Sequence, residues 1–142
     1  MKTLNPYLVF NGNCEEAFNF YAVCLEGKIE MIARFSDNPQ NNIPKAHENK
    51  VMHASLSFSK GILMGSDHVE GAGFATEATM RSNVHLCLNF DNDAEIETTF
   101  AKLKEGGEVT MELKDQFWGS KFGMLTDKFG MRWMFDCEKA KK

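Results

Sequence analysis

The chain predicts an α+β fold of two β-α-β-β-β modules, and three observations carry that prediction. First, the sequence repeats. A shift of 80 residues lays LVFNGNCEEAFNFYAVCLEGKIEM, from Leu8, on LNFDNDAEIETTFAKLKEGGEVTM, from Leu88, so that Phe10 meets Phe90, Phe20 meets Phe100, Gly27 meets Gly107 and Met31 meets Met111. Second, each copy passes from alternating to helical spacing of its apolar residues and back again. Third, 142 residues with 43% apolar content suffice for one packed domain and not for two independent ones. Two copies at so long a period mark a duplicated module rather than a solenoid. The expected organisation is one domain over 1–142, with modules of about 1–67 and 83–138 joined by a loop over 68–82.

The elements follow in order. A first strand ends at Phe10, and a helix is expected from about Asn13 to Leu25. Asn13 would cap it, with Glu16 completing a capping-box-like pair. Cys14, Ala17, Phe18, Tyr21 and Leu25 form its apolar face. From Lys28 to Phe35, Ile29, Met31, Ala33 and Phe35 alternate onto one side, the period of a half-buried strand. Val51 to Ser59 alternates through Met52, Ala54, Leu56 and Phe58. The turn Ser59-Lys60-Gly61 leads into a strand over Ile62 to Ser66. In the second copy a helix starts at Asp93 and runs to about Lys104, with a thinner face of Ile96, Phe100 and Leu103. Glu95 suits the positive end of its dipole, Lys102 and Lys104 the negative end, and Gly106-Gly107 stops it. Strands over Phe122 to Thr126 and Met131 to Cys137 flank a turn at Asp127-Lys128-Phe129-Gly130. Ser36 to Lys50, rich in Asn and Pro, reads as a surface loop, and Asp67 to Ser82, with Gly71 and Gly73, as the connection between modules.

Composition excludes several functions. With 16 basic and 20 acidic side chains the net charge is −4 and the pI near 5.6, so nucleic acid is not an expected partner. The Lys139 to Lys142 tail reads as a solvated end. No apolar run approaches the roughly 20 residues of a membrane span, and the opening MKTLNPYLVF runs straight into a strand without a leader-type cleavage site. Cys14, Cys24, Cys87 and Cys137 show no CxxC pairing and read as core thiols without disulfides, in keeping with a cytoplasmic address. Met31, Met52, Met64, Met111, Met124 and Met134 fall in strand patterns and are expected to fill core or pocket gaps. No GK[ST] loop follows Gly71-x-Gly73, and no G-x-S-x-G or H-E-x-x-H occurs.

Three segments carry a family resemblance: the opening PYLVFNGNCEEAFNFY, the central MHASLSFSKGILMGSD and the closing DQFWGSKFGMLTDKFGMRWMF. Together, over about Leu4 to Phe135, the chain resembles the vicinal-oxygen-chelate superfamily of glyoxalase I, bleomycin-resistance proteins, fosfomycin-resistance enzymes and extradiol dioxygenases, and within it the PhnB-like branch. The resemblance implies paired βαβββ modules whose curved mixed sheets shape a concave site, and a homodimer, sometimes with modules exchanged between subunits. Metal-dependent members place His or Gln on a module's first strand and Glu on its last. Here His85 matches the first-strand histidine, but its repeat partner is Asn5. Met134 stands where the glutamate belongs, and the first module's last strand offers only Met64 and Ser66, with Asp67 beyond. Thioethers are poor ligands for hard divalent ions. No cofactor is therefore expected, and a divalent metal centre is disfavoured. Some members of the branch carry a demethylubiquinone-methyltransferase name, for which this sequence shows no glycine-rich cofactor fingerprint.

The ligand-binding candidates are Asn5, Tyr7, His53, Ser66, His85, Trp118 and Met134, with Asp67 a further source of polar contacts. His85 is the best catalytic candidate and the one surviving ligand-like position. As a strand histidine it reads equally as a neutral group satisfied in the core. His53 faces opposite Met52 and Ala54, toward pocket or solvent according to which sheet face is concave. Trp118, before Gly119, reads either as an aromatic at the mouth of the sheet or as a core or interface residue. Trp133 reads as packing against a helix or partner, and His47 and His68 as solvated loop residues. The expected function is small-molecule binding without metal. The alternative is a lyase, isomerase or dioxygenase-type enzyme of the same superfamily, using His85 as acid, base or metal ligand.

Overall fold

The computed structural model describes residues 4–38, 43–69 and 84–138. Parts of two expected loops (39–42 and 70–83, the latter with Gly71 and Gly73) and the Lys139–Lys142 tail lie outside the described residues. The described chain falls into two compact units, each an α+β module of one helix on one four-stranded mixed sheet.

The first unit runs β1 (Tyr7–Phe10), α1 (Cys14–Cys24), β2 (Lys28–Arg34), β3 (Val51–Phe58) and β4 (Gly61–Asp67), with short 3-10 turns at Phe35–Asp37 and Lys45–His47 between β2 and β3. Its strand order is β1-β4-β3-β2, with β1 parallel to β4 and the other pairs antiparallel. The α1 residues Cys14, Ala17, Phe18, Tyr21 and Cys24 are buried, with Leu8, Phe10, Ala54, Leu56 and Leu63 buried beneath them. The packing is close at Gly65, where a Cβ would stand 2.7 Å from the Leu8 carbonyl oxygen and 2.9 Å from the Phe18 ring.

Two local expectations change here. The Asn13 side chain makes no capping hydrogen bond. Asp67, buried at the end of β4, caps α1 across the sheet instead: Oδ1 accepts from the backbone N–H groups of Gly12 at 3.0 Å and Cys14 at 2.9 Å, and Oδ2 from Val51 at 2.9 Å. Its carboxylate is thus used by the fold, and its pairing with Phe10 puts it on the helix side of the sheet. The second change is in β2, whose alternation breaks at a bulge between Ile29 and Met31. Ile29 and Ile32 pair with Leu56 and Ala54 of the helix-covered face, whereas Met31 and Ala33 pair with Ser55 and His53 of the open face. The extra residue inverts the side-chain phase.

The second unit runs β5 (Leu86–Phe90), α2 (Asp93–Leu103), β6 (Glu108–Asp115), β7 (Ser120–Thr126) and β8 (Arg132–Glu138), in the order β5-β8-β7-β6. Asn92 caps α2, accepting from the Glu95 N–H at 2.8 Å. Ile96, Phe100 and Leu103 are buried with Leu125, Trp133, Phe135 and Cys137, and Phe100 meets Phe135 edge-on at 5.0 Å. Trp133 is a core residue of this helix-covered face. Its indole N–H donates to Asp127 Oδ2 at 2.8 Å, while Asp127 Oδ1 accepts from the N–H groups of Phe129 and Met131 at 2.8 and 3.1 Å. The Asp127 turn closes on Gly130, at φ +89°. No described helix is long and apolar enough to cross a membrane.

Candidate functional site

Each sheet has one face under its helix and one open face, and strand alternation assigns the candidates between them. In the first unit the pairs Tyr7–Met64 and Val9–Ser66 lie on the open face, because Leu8, Phe10, Gly65 and Leu63 take the other. His53 lies there too, paired with Ala33 of β2. The structure therefore brings three candidates together. The Tyr7 hydroxyl is 3.1 Å from His53 Nδ1, and the two rings stack at a centroid separation of 5.6 Å and an angle of 29°. When the phenol donates, Nδ1 is the acceptor and the imidazole proton sits on Nε2. Tyr7 remains 40% exposed.

Ser66 lies fully buried on the same face, and its Oγ has no hydrogen-bond partner. It is near enough to the phenol to favour the ionised form, yet burial of the phenol outweighs this and raises the Tyr7 pKa above its ordinary value, with a smaller push from Cys14. Tyr7 is accordingly a neutral hydrogen-bonding phenol at physiological pH. The Cys14 thiol is itself pushed far up by burial, by Asp67 and by Glu15, which makes it inert as a nucleophile. Asn5 stands exposed ahead of β1, outside this group.

The second unit spreads its candidates out. His85 is exposed, one residue ahead of β5. Met134 is half-buried in the middle of the open face, paired with Cys87 and Met124. Trp118 is 51% exposed at the β6–β7 hairpin, where Gly119 adopts φ +97°. It leans edge-on against Phe122 at 5.8 Å and against Phe117 at 5.2 Å, so it is not a core residue. Phe122 pairs with Asp136, two positions beyond Met134 and away from the end of β8 nearest His85.

Two expectations about other residues change, for Cys87 and His47, and the core-or-pocket expectation for the methionines narrows to the open faces. Cys87 is exposed, and only Cys14, Cys24 and Cys137 are buried. The alternation Leu86, Leu88, Phe90 against His85, Cys87, Asn89 already carried that signal. None of the six strand methionines is buried, and Met31, Met64, Met111, Met124 and Met134 pair along the open faces. His47 is half-buried, with a buried Nδ1 that has no partner, rather than solvated.

The donor set does not suit the divalent ion of metal-dependent relatives. Met64 and Met134 put thioethers at the last-strand positions, and Asn5 is a weak donor. Among the described residues no group of three or more His, Cys, Asp or Glu side chains is placed to hold an ion.

The Glyoxalase/Bleomycin resistance protein/Dioxygenase superfamily model matches residues 3–135. The chain belongs to that superfamily. Protein PA1353 from Pseudomonas aeruginosa is 40% identical, with a TM-score of 0.84 over 99% of this chain and all of that one. A Bacillus cereus structure described as a putative 3-demethylubiquinone-9 3-methyltransferase, PhnB protein, is 29% identical, with a TM-score of 0.75 over 96% and 99% of the two chains. Protein YjdN of Escherichia coli K12 is 28% identical over 96% of this chain and 95% of its own length. The PhnB-like resemblance read from the opening, central and closing segments thus agrees with these matches, as do the two-module fold and its mixed sheets.

Proposed function

We propose that this superfamily member binds a small organic molecule on the open face of its first sheet, through hydrogen bonding and stacking rather than through a divalent metal. The observation that carries this reading is the Tyr7–His53 pair, stacked and hydrogen-bonded on the face α1 leaves open, beside the buried and unpartnered Ser66 hydroxyl. A buried hydroxyl without a partner costs about 1–3 kcal/mol. A ligand that displaces the phenol from His53, or turns it toward Ser66, recovers part of that cost. Met31 and Met64 on the same face offer adaptable apolar contact. The ligand class that fits is a planar conjugated molecule carrying one hydrogen-bonding oxygen. The methyltransferase activity in the name of the Bacillus cereus protein is not part of this reading. The chain is further proposed to work as a homodimer in the cytoplasm, which sedimentation analysis of the purified protein tests for the oligomeric state.

The binding test is a thermal-shift screen with benzoate, catechol, 1,4-naphthoquinone and bleomycin as probes. A compound present at a hundred times its Kd stabilises by about 2.7 kcal/mol. Affinity for a hit should fall about ten-fold in His53→Ala and in Tyr7→Phe, the latter removing one hydrogen bond of roughly 1 kcal/mol or more. Hits whose affinity ignores both substitutions would place binding elsewhere and sink the proposal.

A further inference from the structure

Across the open face of the second sheet, four sulfur-bearing side chains fall in one row. Cys87 of β5 pairs with Met134 of β8, Met134 with Met124 of β7, and Met124 with Met111 of β6. Directly paired residues share a face, with Cβ atoms about 4.5–5.5 Å apart. Met134 stands next to Cys87 and Met124 one strand further, a span that long, unbranched thioether side chains can bridge, whereas Met111, three strand spacings or about 14 Å from Cys87, lies beyond it. The row is accessible: Cys87 and Met111 are exposed and Met124 and Met134 half-buried, while α2 covers the opposite face, where Phe135 meets Phe100. The flanking pairs are Asp136–Phe122 on one side and Arg132–Thr126 on the other, so no lysine or arginine stands within the row.

Thioethers and a thiol in this arrangement discriminate strongly among ions. They are poor ligands for hard divalent cations and good ones for soft monovalent cations. We propose that Cys87, Met134 and Met124 form a binding site for Cu(I). On binding, the Cys87 S–H bond breaks and its proton passes to solvent as the Sγ–Cu bond forms. Each thioether donates a lone pair and loses no proton, and the metal keeps its oxidation state. Partial burial and, after it, the Asp136 carboxylate raise the Cys87 pKa, so the thiol keeps its proton until the metal replaces it, and the exchange of one proton for one Cu(I) leaves the net charge of the site unchanged.

The test is anaerobic competition of the purified chain against the coloured bicinchoninate complex of Cu(I). Wild type should withdraw about one ion per chain. Met134→Leu and Met124→Leu keep apolar volume and remove only the sulfur, a change cores and surfaces tolerate well. Each should weaken Cu(I) binding by about ten-fold or more, equivalent to 1.4 kcal/mol, and Cys87→Ser should abolish it. Tyr7→Phe should leave it unchanged. Failure of wild type to compete overturns the proposal. So does retention of wild-type affinity in the two leucine variants, which would reduce the site to a lone thiol, or retention in Cys87→Ser, which would assign the metal to Cys14, Cys24 or Cys137.

Discussion

Replacing Asp67 with alanine tests the account of how the first module is held together. The side chain accepts three backbone hydrogen bonds, from Gly12, Cys14 and Val51, and the last two are buried. Each buried N–H left without a partner costs about 1–3 kcal/mol. The two buried donors therefore contribute about 2–6 kcal/mol, and loss of a cap at the α1 N-terminus belongs to the same range as other caps, about 0.5–2 kcal/mol. Since the Cys14 N–H serves both counts, the cap is not added again, and we expect a loss of about 2–6 kcal/mol in Asp67→Ala. That is a large share of the roughly 5–15 kcal/mol available to a small domain. Urea unfolding followed by circular dichroism measures it through the midpoint and slope. Two companion variants make the reasoning strict. Asn13→Ala should cost under about 0.5 kcal/mol, because that side chain makes no capping bond. Asn92→Ala should cost about 1 kcal/mol, because it does. An Asp67→Ala loss below about 1 kcal/mol, or equal losses in Asn13→Ala and Asn92→Ala, would refute the assignment of the α1 cap to Asp67.

Two further outcomes are expected. Gly65→Ala forces a Cβ against the Leu8 carbonyl and the Phe18 ring and should destabilise by about 1–3 kcal/mol; an unchanged urea midpoint would show that α1 shifts freely on β4. The Glu15 carboxyl is held below the ordinary carboxylate range chiefly by its hydrogen bond from Arg34, at 2.8 Å. A depressed folded-state pKa contributes stability above the unfolded value, roughly 4.3 for Glu, and that contribution disappears as pH falls through the folded value. Because both groups are partly exposed, Arg34→Ala should cost under about 1 kcal/mol at neutral pH and less in acid, where Glu15 is protonated and only the Arg34 hydrogen bond to the Asn49 carbonyl remains; a loss of the same size at low pH would assign the effect to that bond and to packing.

Most of the fold was legible because it depends on spacing. The repeat placed both helices and the long strands, since apolar periods of 3.6 and 2 are written locally. What spacing could not show was who satisfies a polar group across the sheet. Asn13 has the residue type of an N-cap, yet Asp67 holds the position, because β4 ends beside the N-terminus of α1. The bulge in β2 was hidden for a similar reason. Inserting one residue inverts the side-chain phase, and no residue in KIEMIAR announces where this happens. Alternation alone put Met31 with Ile29, and the pairing with Ser55 separates them.

The candidate site was legible in part for a physical reason that distinguishes its two halves. Tyr7, His53 and Ser66 were picked singly as polar groups in strands, and pairing gathered them onto one face. His85, Met134 and Trp118 were picked by the same logic and stay apart, because nothing in residue type fixes distance along a sheet. The repeat links the two faces more closely than either list did. Tyr7 and Cys87 are repeat partners, as are Met31 and Met111, and each begins or ends a row that crosses its sheet: Tyr7–Met64 and Ser55–Met31 in the first unit, Cys87–Met134–Met124–Met111 in the second. Ser55 also pairs with Met64, which completes the first row. The helix-covered faces of both modules are largely apolar, with Asp67 and Gly65 of the first standing where the second has Cys137 and Phe135. The open faces differ in donor chemistry: in the first row a phenol and a hydroxyl alternate with two thioethers, and in the second a thiol stands with three thioethers. Differences on the helix-covered faces are tied to packing and capping, as at Asp67, whereas a change on the faces that carry no helix costs little core packing and leaves a duplicated module free to take on function there. The hydrogen-bonding row and the sulfur row should then be separable by mutation: Tyr7→Phe should act on organic ligands alone, and Met134→Leu on Cu(I) alone.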